Sequence, residues 1–254
     1  MSKPVDETTL NPREAIAQFL AQQLRGIQLL RILASHDHWL VPASFAQGQP
    51  SFIYLRDGAG QLNLFTFTDT KAYDACRAKL GAQKLGEHYI ETTGVGVWGS
   101  LADDVSIVSV NPNSEQEIHY KREQMPNLRY WAQVIKVERA LANILTTDSG
   151  YNVIKAFDEY YIAFGKNEQG RYLLLAPDDK GRKLALLFTA EDAVDALLAA
   201  RGQQGIEVVS YNGAPLFNML KQWPLDGMVF NAYGPTKPLA FALAFAERVL
   251  QVAG

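Results

Sequence analysis

The nine residues from Phe67 to Ala75 (FTDTKAYDA) return at 188–196 as FTAEDAVDA, identical at Phe, Thr, Ala, Asp and Ala, with a separation of 188 − 67 = 121 residues. At the same separation Gly60 meets Gly181 and Asp57 meets Asp178. At nearly the same one, 231 − 111 = 120, Asn111 meets Asn231, each at the end of an apolar run. Self-similarity at a fixed spacing constrains a chain more than composition does, because each copy must be one supersecondary unit. The roles read from the repeated residues are structural. Phe ends a buried strand, and Thr68 and Thr189 are expected as helix N-caps, their hydroxyls accepting from free backbone N–H groups. The alanines let the following helix lie close on a sheet, and Asn tolerates the positive φ of a turn. A chain of 254 residues suits one large domain or two small ones. The repeat selects two.

The rest of the pattern fits an α+β chain. Asn11-Pro12-Arg13-Glu14 carries an N-cap, a proline at the first helical position and an acid two residues later, so a helix starts there. Ile16, Phe19, Leu20, Leu24, Ile27 and Leu30 continue it at spacings of three and four to about Ala34, loosened at Gly26. Strand-like runs follow at Trp39–Pro42, Ser51–Leu55 and Leu62–Phe67, the last two joined by the turn Arg56-Asp57-Gly58-Ala59-Gly60. Asp69–Leu80 is helical, Val105–Val110 is a strand, Glu117–Lys121 reads as another, and a long helix is expected from Pro126 to Leu145. In the second half, strands are expected at Tyr160–Phe164, Tyr172–Ala176, Leu184–Phe188, Ile206–Val209 and Gly227–Asn231. Helices are expected at Ala190–Arg201 and Ala214–Gln222, and a strand-to-helix segment over Pro238–Val252. The expected architecture is therefore two tandem related α/β-layered domains with mixed sheets, joined by a long helix. Its divisions are an N-terminal helix over 1–35, a first domain over 36–125, a connecting helix over 126–150 and a second domain over 151–254.

The order Trp39-Leu40-Val41-Pro42, the turn-rich hairpin, Phe67-Thr68-Asp69 with its alanine-bearing helix, the glycine-rich stretch 94–99 and Val108-Ser109-Val110-Asn111-Pro112 resembles the SseB-type N-terminal domain of bacteria. Residues 206–239, with Asn212-Gly213-Ala214-Pro215-Leu216-Phe217 and Phe230-Asn231-Ala232-Tyr233-Gly234-Pro235, look like a second, more diverged copy. That family carries no established catalytic residues, so the resemblance transfers none. It implies a bacterial cytoplasmic protein, with related domains found in secretion and toxin–immunity settings. Two copies stand here where the family's namesake pairs one with a different C-terminal domain.

Composition narrows the function classes. A net charge of −3 argues against nucleic acid, whose binders present a basic surface to phosphates. No apolar run reaches membrane-spanning length, and the polar N-terminus has no signal core, so a cytoplasmic location is expected. Cys76 is the only cysteine, which excludes an internal disulfide and a cysteine-rich zinc site.

Each candidate site has a plainer reading. Gly94-Val95-Gly96-Val97-Trp98-Gly99 matches G-x-G-x-x-G, but a dinucleotide site needs a strand before it and a long helix after it, and Val105 arrives too soon. A glycine-rich turn is expected instead. His36-Asp37-His38 could chelate from a strand, with only His88 and His119 left to complete a site; a polar cluster at a helix end is the simpler reading. Cys76 sits on the apolar side of its helix, and the acid pairs Glu115/Glu117 and Glu191/Asp192 read as solvated faces. Most aromatics belong to the core. Trp98 and Tyr233, in late parts of the two repeats, are expected to flank a binding surface. The function expected is non-catalytic protein binding without cofactor or metal, in an immunity, chaperone or adaptor role. The alternative is an enzyme or small-ligand binder with a pocket between the repeats, on which His36, His38 and the 94–99 segment should converge.

Overall fold

The computed structural model describes residues 10–46, 49–143, 149–176, 178–202 and 204–252. It divides into a unit of Met1–Ile135 and a unit of Lys136–Gly254. The fold class is α+β, as expected.

The first unit opens with α1 (Pro12–Leu20) and α2 (Gly26–Ser35). Asn11 caps α1: its side chain accepts from Glu14 N at 2.9 Å, and the Glu14 carboxylate accepts from Asn11 N. The single helix expected from Asn11 to Ala34 is two helices. Gln22 takes φ 59°, and a right-handed helix does not continue through a left-handed residue. Then follow β1 (Trp39–Ala46), β2 (Gln49–Phe52), β3 (Tyr54–Arg56), β4 (Leu62–Thr66), α3 (Thr70–Leu80) and the short α4 (Ala82–Leu85). The unit ends through β5 (His88–Thr92), α5 (Gly94–Gly99), β6 (Val105–Val110), β7 (Ile118–Lys121) and the start of α6 (Met125–Ala142). The strands lie in the orders β2-β1-β5 and β3-β4-β6-β7, with only β4–β6 parallel. A bridge between Leu40 and Phe67, each donating to the other's carbonyl at 2.9 Å, joins β1 to the end of β4.

The second unit takes the rest of α6, then α7 (Ser149–Ala156), β8 (Tyr160–Asn167), β9 (Gly170–Leu173), β10 (Leu184–Phe188) and α8 (Glu191–Arg201). It closes with β11 (Ile206–Tyr211), α9 (Gly213–Leu220), β12 (Gly227–Phe230), β13 (Leu239–Ala242) and α10 (Ala244–Gln251). The sheet order is β11-β8-β10-β12-β13, with β9 also on β8 and only β10–β12 parallel.

The two units use the same pairings. Leu40↔Phe67 corresponds to Tyr161↔Phe188, Thr66↔Val110 to Leu187↔Phe230, and Val110↔Ile118 to Phe230↔Leu239. Tyr54↔Leu64 corresponds to the bridge Leu175↔Ala185. The N-terminal part of α6 follows β7 as α10 follows β13, and its C-terminal part precedes α7 as α1 precedes α2. The helices over 12–35, expected as a separate lead-in, lie within the first unit, and the expected connector over 126–150 is divided at Ile135/Lys136. Residues 144–148 of that connector lie outside the described residues.

Alternation along the strands supplies each sheet with two apolar faces. In the first unit α3 covers Leu40 and Phe67 with Tyr73 and Cys76. On the opposite face Trp39 stacks edge-on against Trp98 of α5, both fully buried. In the second unit α8 covers Tyr161, Ala163, Leu184, Leu186 and Phe188. The other face carries an aromatic cluster of Tyr160, Phe217, Phe230, Phe241 and Phe245.

Candidate functional site

The repeated residues build the same two joints in each unit. Asn111 (φ 49°) and Asn231 (φ 54°) each end one parallel strand and reach across to the other. Thr68 N donates to Asn111 Oδ1 at 2.9 Å, and Thr189 N donates to Asn231 Oδ1 at 3.0 Å. The threonine hydroxyls are not helix caps. Asp69 caps α3, accepting from Ala72 N at 2.8 Å, and Ala190 precedes α8 without a side-chain cap. Thr68 Oγ1 instead donates to Asn111 Oδ1, while Thr189 Oγ1 donates to Glu138 Oε1 at 2.7 Å and accepts from Asn231 Nδ2 at 2.9 Å. Buried polar groups are held by partners in this way because leaving one unmade is costly.

The second joint absorbs the glycine motif and the histidine cluster. Residues 94–99 form the six-residue helix α5 capped by Thr93, not a turn. Gly94 N donates to His36 O, and a Cβ on Gly94 would lie 2.5 Å from Ala34 O. Gly213 repeats this: its N donates to Phe157 O, and a Cβ there would lie 2.6 Å from Lys155 O. Trp39 Nε1 donates to Leu33 O at 3.0 Å, as Tyr160 OH donates to Ile154 O at 2.8 Å. His36 packs edge-on against Trp39, and burial pushes its imidazole below the ordinary pKa of 6.5. His38 pairs with Glu91 through Nδ1. His36 and α5 thus belong to a packing joint, while His38 stands exposed beside it. Among the described residues no cluster of three or more His, Cys, Asp or Glu side chains fits a metal. Burial pushes the Cys76 thiol up, partly opposed by Asn113 Nδ2 donating to its Sγ.

The expected binding pair does not hold. Trp98 is fully buried, with Nε1 donating to Leu33 O at 3.3 Å, so it cannot flank a surface. Its counterpart is the equally buried Phe217 of α9, not Tyr233. Tyr233 is half-buried, and its hydroxyl accepts from Arg201 Nε at 2.9 Å.

Two open grooves lie among the described residues. One, of about 440 Å³ in the first unit, is lined by Gln61, Ser106, Ile107, Lys121, Arg122 and Glu123. Its Arg122 guanidinium is held by the carbonyls of Asp104 and Val105. The other, of about 350 Å³ in the second unit, lies between α8 and β11 and is lined by Tyr161, Glu191, Val194, Asp195, Val208 and Ser210. Glu191 and Asp195 stand four residues apart on one face of α8. Both are exposed, and among the described residues neither makes an ion pair or a side-chain hydrogen bond. The valines form an apolar floor against the α8 core.

The first unit closes the same place. Val194 corresponds to Tyr73 at the 121-residue spacing. Val208 pairs with Ala163 as Tyr89 pairs with Pro42, so Val208 corresponds to Tyr89. Tyr73 and Tyr89 meet with ring centroids 5.0 Å apart. Replacing two tyrosines by two valines opens the groove, and the contrast between the copies was the signal available in the sequence. The chain matches no family model and no curated protein.

Proposed function

We propose that this chain is a non-catalytic protein-binding module and that the groove between α8 and β11 is its contact surface. The observation that carries the reading is the opening of this groove where the first unit is filled by Tyr73 and Tyr89. Two carboxylates without partners among the described residues stand over an apolar floor, a combination that suits a basic protein segment. The floor supplies buried area, and the charges supply orientation and steering. The SseB-type resemblance supports a bacterial cytoplasmic setting for such a module, in an immunity, chaperone or adaptor role tied to a toxin or secretion system. No helix among the described residues is long and apolar enough to cross a membrane.

Photo-crosslinkers placed at Ser210 and, as a control, at Glu91 test this in the native host. A stoichiometric protein partner is expected from Ser210 and not from Glu91. The charge reversal Glu191→Lys with Asp195→Lys is expected to weaken that association at least about tenfold, with the circular dichroism spectrum unchanged. A partner that binds the reversed variant as tightly as the original would exclude the groove.

A further inference from the structure

We infer that the groove takes its partner as an added β-strand: an extended basic segment that pairs with the free edge of β11 and lays alternate lysine side chains between Val208 and α8. This rests on the protein-binding reading above and specifies how that surface is used.

The edge is open. Among the described residues β11 ends the sheet order and pairs only with β8. Gly205 O accepts from Lys166 N, and these two residues lie directly opposite each other in the register that continues Ile206↔Gly165. Hydrogen-bonded pairs alternate in an antiparallel ladder, so residues 207, 209 and 211 direct their N–H and C=O groups at β8. Ile206, Val208 and Ser210 direct theirs outward. The same three residues carry side chains on the α8 side, where Ile206 and Val208 pack against its core. An incoming strand therefore finds backbone partners and a side-chain groove along one line, the arrangement by which an edge strand accepts an extended peptide.

Charge selects the segment. Every second side chain of the added strand faces the groove. There an aliphatic stem can lie on Val194 and Val208 while its ammonium reaches Glu191 and Asp195, the way lysine divides itself between apolar surface and water. The intervening side chains fall on the opposite face beside Val209 and Tyr211, which favours β-branched residues. A second copy of β11 (IEVVSY) fits poorly, because it brings its own Glu191 and Asp195 toward the same carboxylates. The corresponding edge in the first unit is β5, where Tyr89 occupies the groove position and Glu91 is engaged by His38.

The test uses the full chain and two short capped peptides, one alternating lysine with valine and one alternating glutamate with valine. Fluorescence anisotropy reads affinity, and amide hydrogen exchange reads the bonds. The lysine peptide is expected to bind and to slow exchange at Ile206, Val208 and Ser210, and the glutamate peptide to bind at least tenfold more weakly. Val208→Pro removes one outward N–H and leaves the bonds to β8 intact, as proline is tolerated on a strand edge. It is expected to reduce affinity more than tenfold. Val208→Tyr keeps the amide but fills the groove as Tyr89 does, and is expected to do the same if the proline variant does not fold. Glu191→Gln with Asp195→Asn is expected to cost about tenfold and to flatten the salt dependence. Equal binding by all variants, no binding by the original chain, or a dimer through β11 that Val208→Pro dissolves would each overturn strand addition. If the Ser210 crosslink still captures its partner in the Val208→Pro variant, protein binding stands and the strand geometry alone fails.

Discussion

Asn111 and Asn231 do two jobs with one side chain each. They turn the backbone at positive φ, and they hold the amide that follows the neighbouring parallel strand. Asn→Ala at either position is expected to cost about 1–2 kcal/mol for the left-handed backbone and about 1–3 kcal/mol for the abandoned amide, the larger loss at Asn231, whose Thr189 partner is buried where Thr68 is part-buried. Asn→Gly should lose only the second part, so urea denaturation should rank alanine below glycine; equal midpoints would remove the backbone contribution. The positive φ was legible from residue type. The threonine partner was not, because a hydroxyl beside a helix start can meet that helix or a side chain far along the chain, and only the parallel pairing chooses. His36 gives a pH signature. Its folded pKa lies below 6.5, so the unfolded chain binds the extra proton first. Its contribution to stability is whole above about pH 6.5 and falls as pH drops from there toward the lowered folded value. Unfolding by urea at about pH 7.5 and about pH 5.5 should show this loss, and His36→Gln should reduce it.

At the scale of elements, α5 and α9 are short helices wedged against the ends of α2 and α7 by glycines that leave no room for a methyl group. Gly94→Ala and Gly213→Ala should each destabilise by about 1–3 kcal/mol through overpacking. Gly99→Ala, with nothing within 4 Å of its would-be Cβ, should be neutral or slightly stabilising. Thermal denaturation distinguishes these, and a neutral Gly94→Ala would mean the joint yields. The strands and the longer helices were legible because period and propensity agree over many residues. The turn expected at 94–99 is instead a six-residue helix of less than two turns, too short to leave a periodic pattern. Likewise, the break between α1 and α2 turns on one left-handed glutamine that no apolar spacing records.

For the whole molecule, α6 runs from the first unit into the second. Glu138 on α6 accepts from Thr189 and Asn231, so a chain beginning at Met125 keeps that network and one beginning at Asn143 loses it. The longer fragment is expected to unfold cooperatively on heating, and the shorter one at a lower midpoint or without a transition. Equal midpoints would show that α6 contributes nothing to the second unit. The sequence by itself determined the repeat, the α+β class and the positions where backbone turns need asparagine, because these rest on residue type and local spacing. Tertiary structure alone decided that α6 is shared, that Trp98 is core, and that α8 and β11 leave a groove with an open edge. Those outcomes depend on which side-chain volumes face each other across strands, and a tyrosine pair exchanged for a valine pair becomes a surface only once folding has set them opposite.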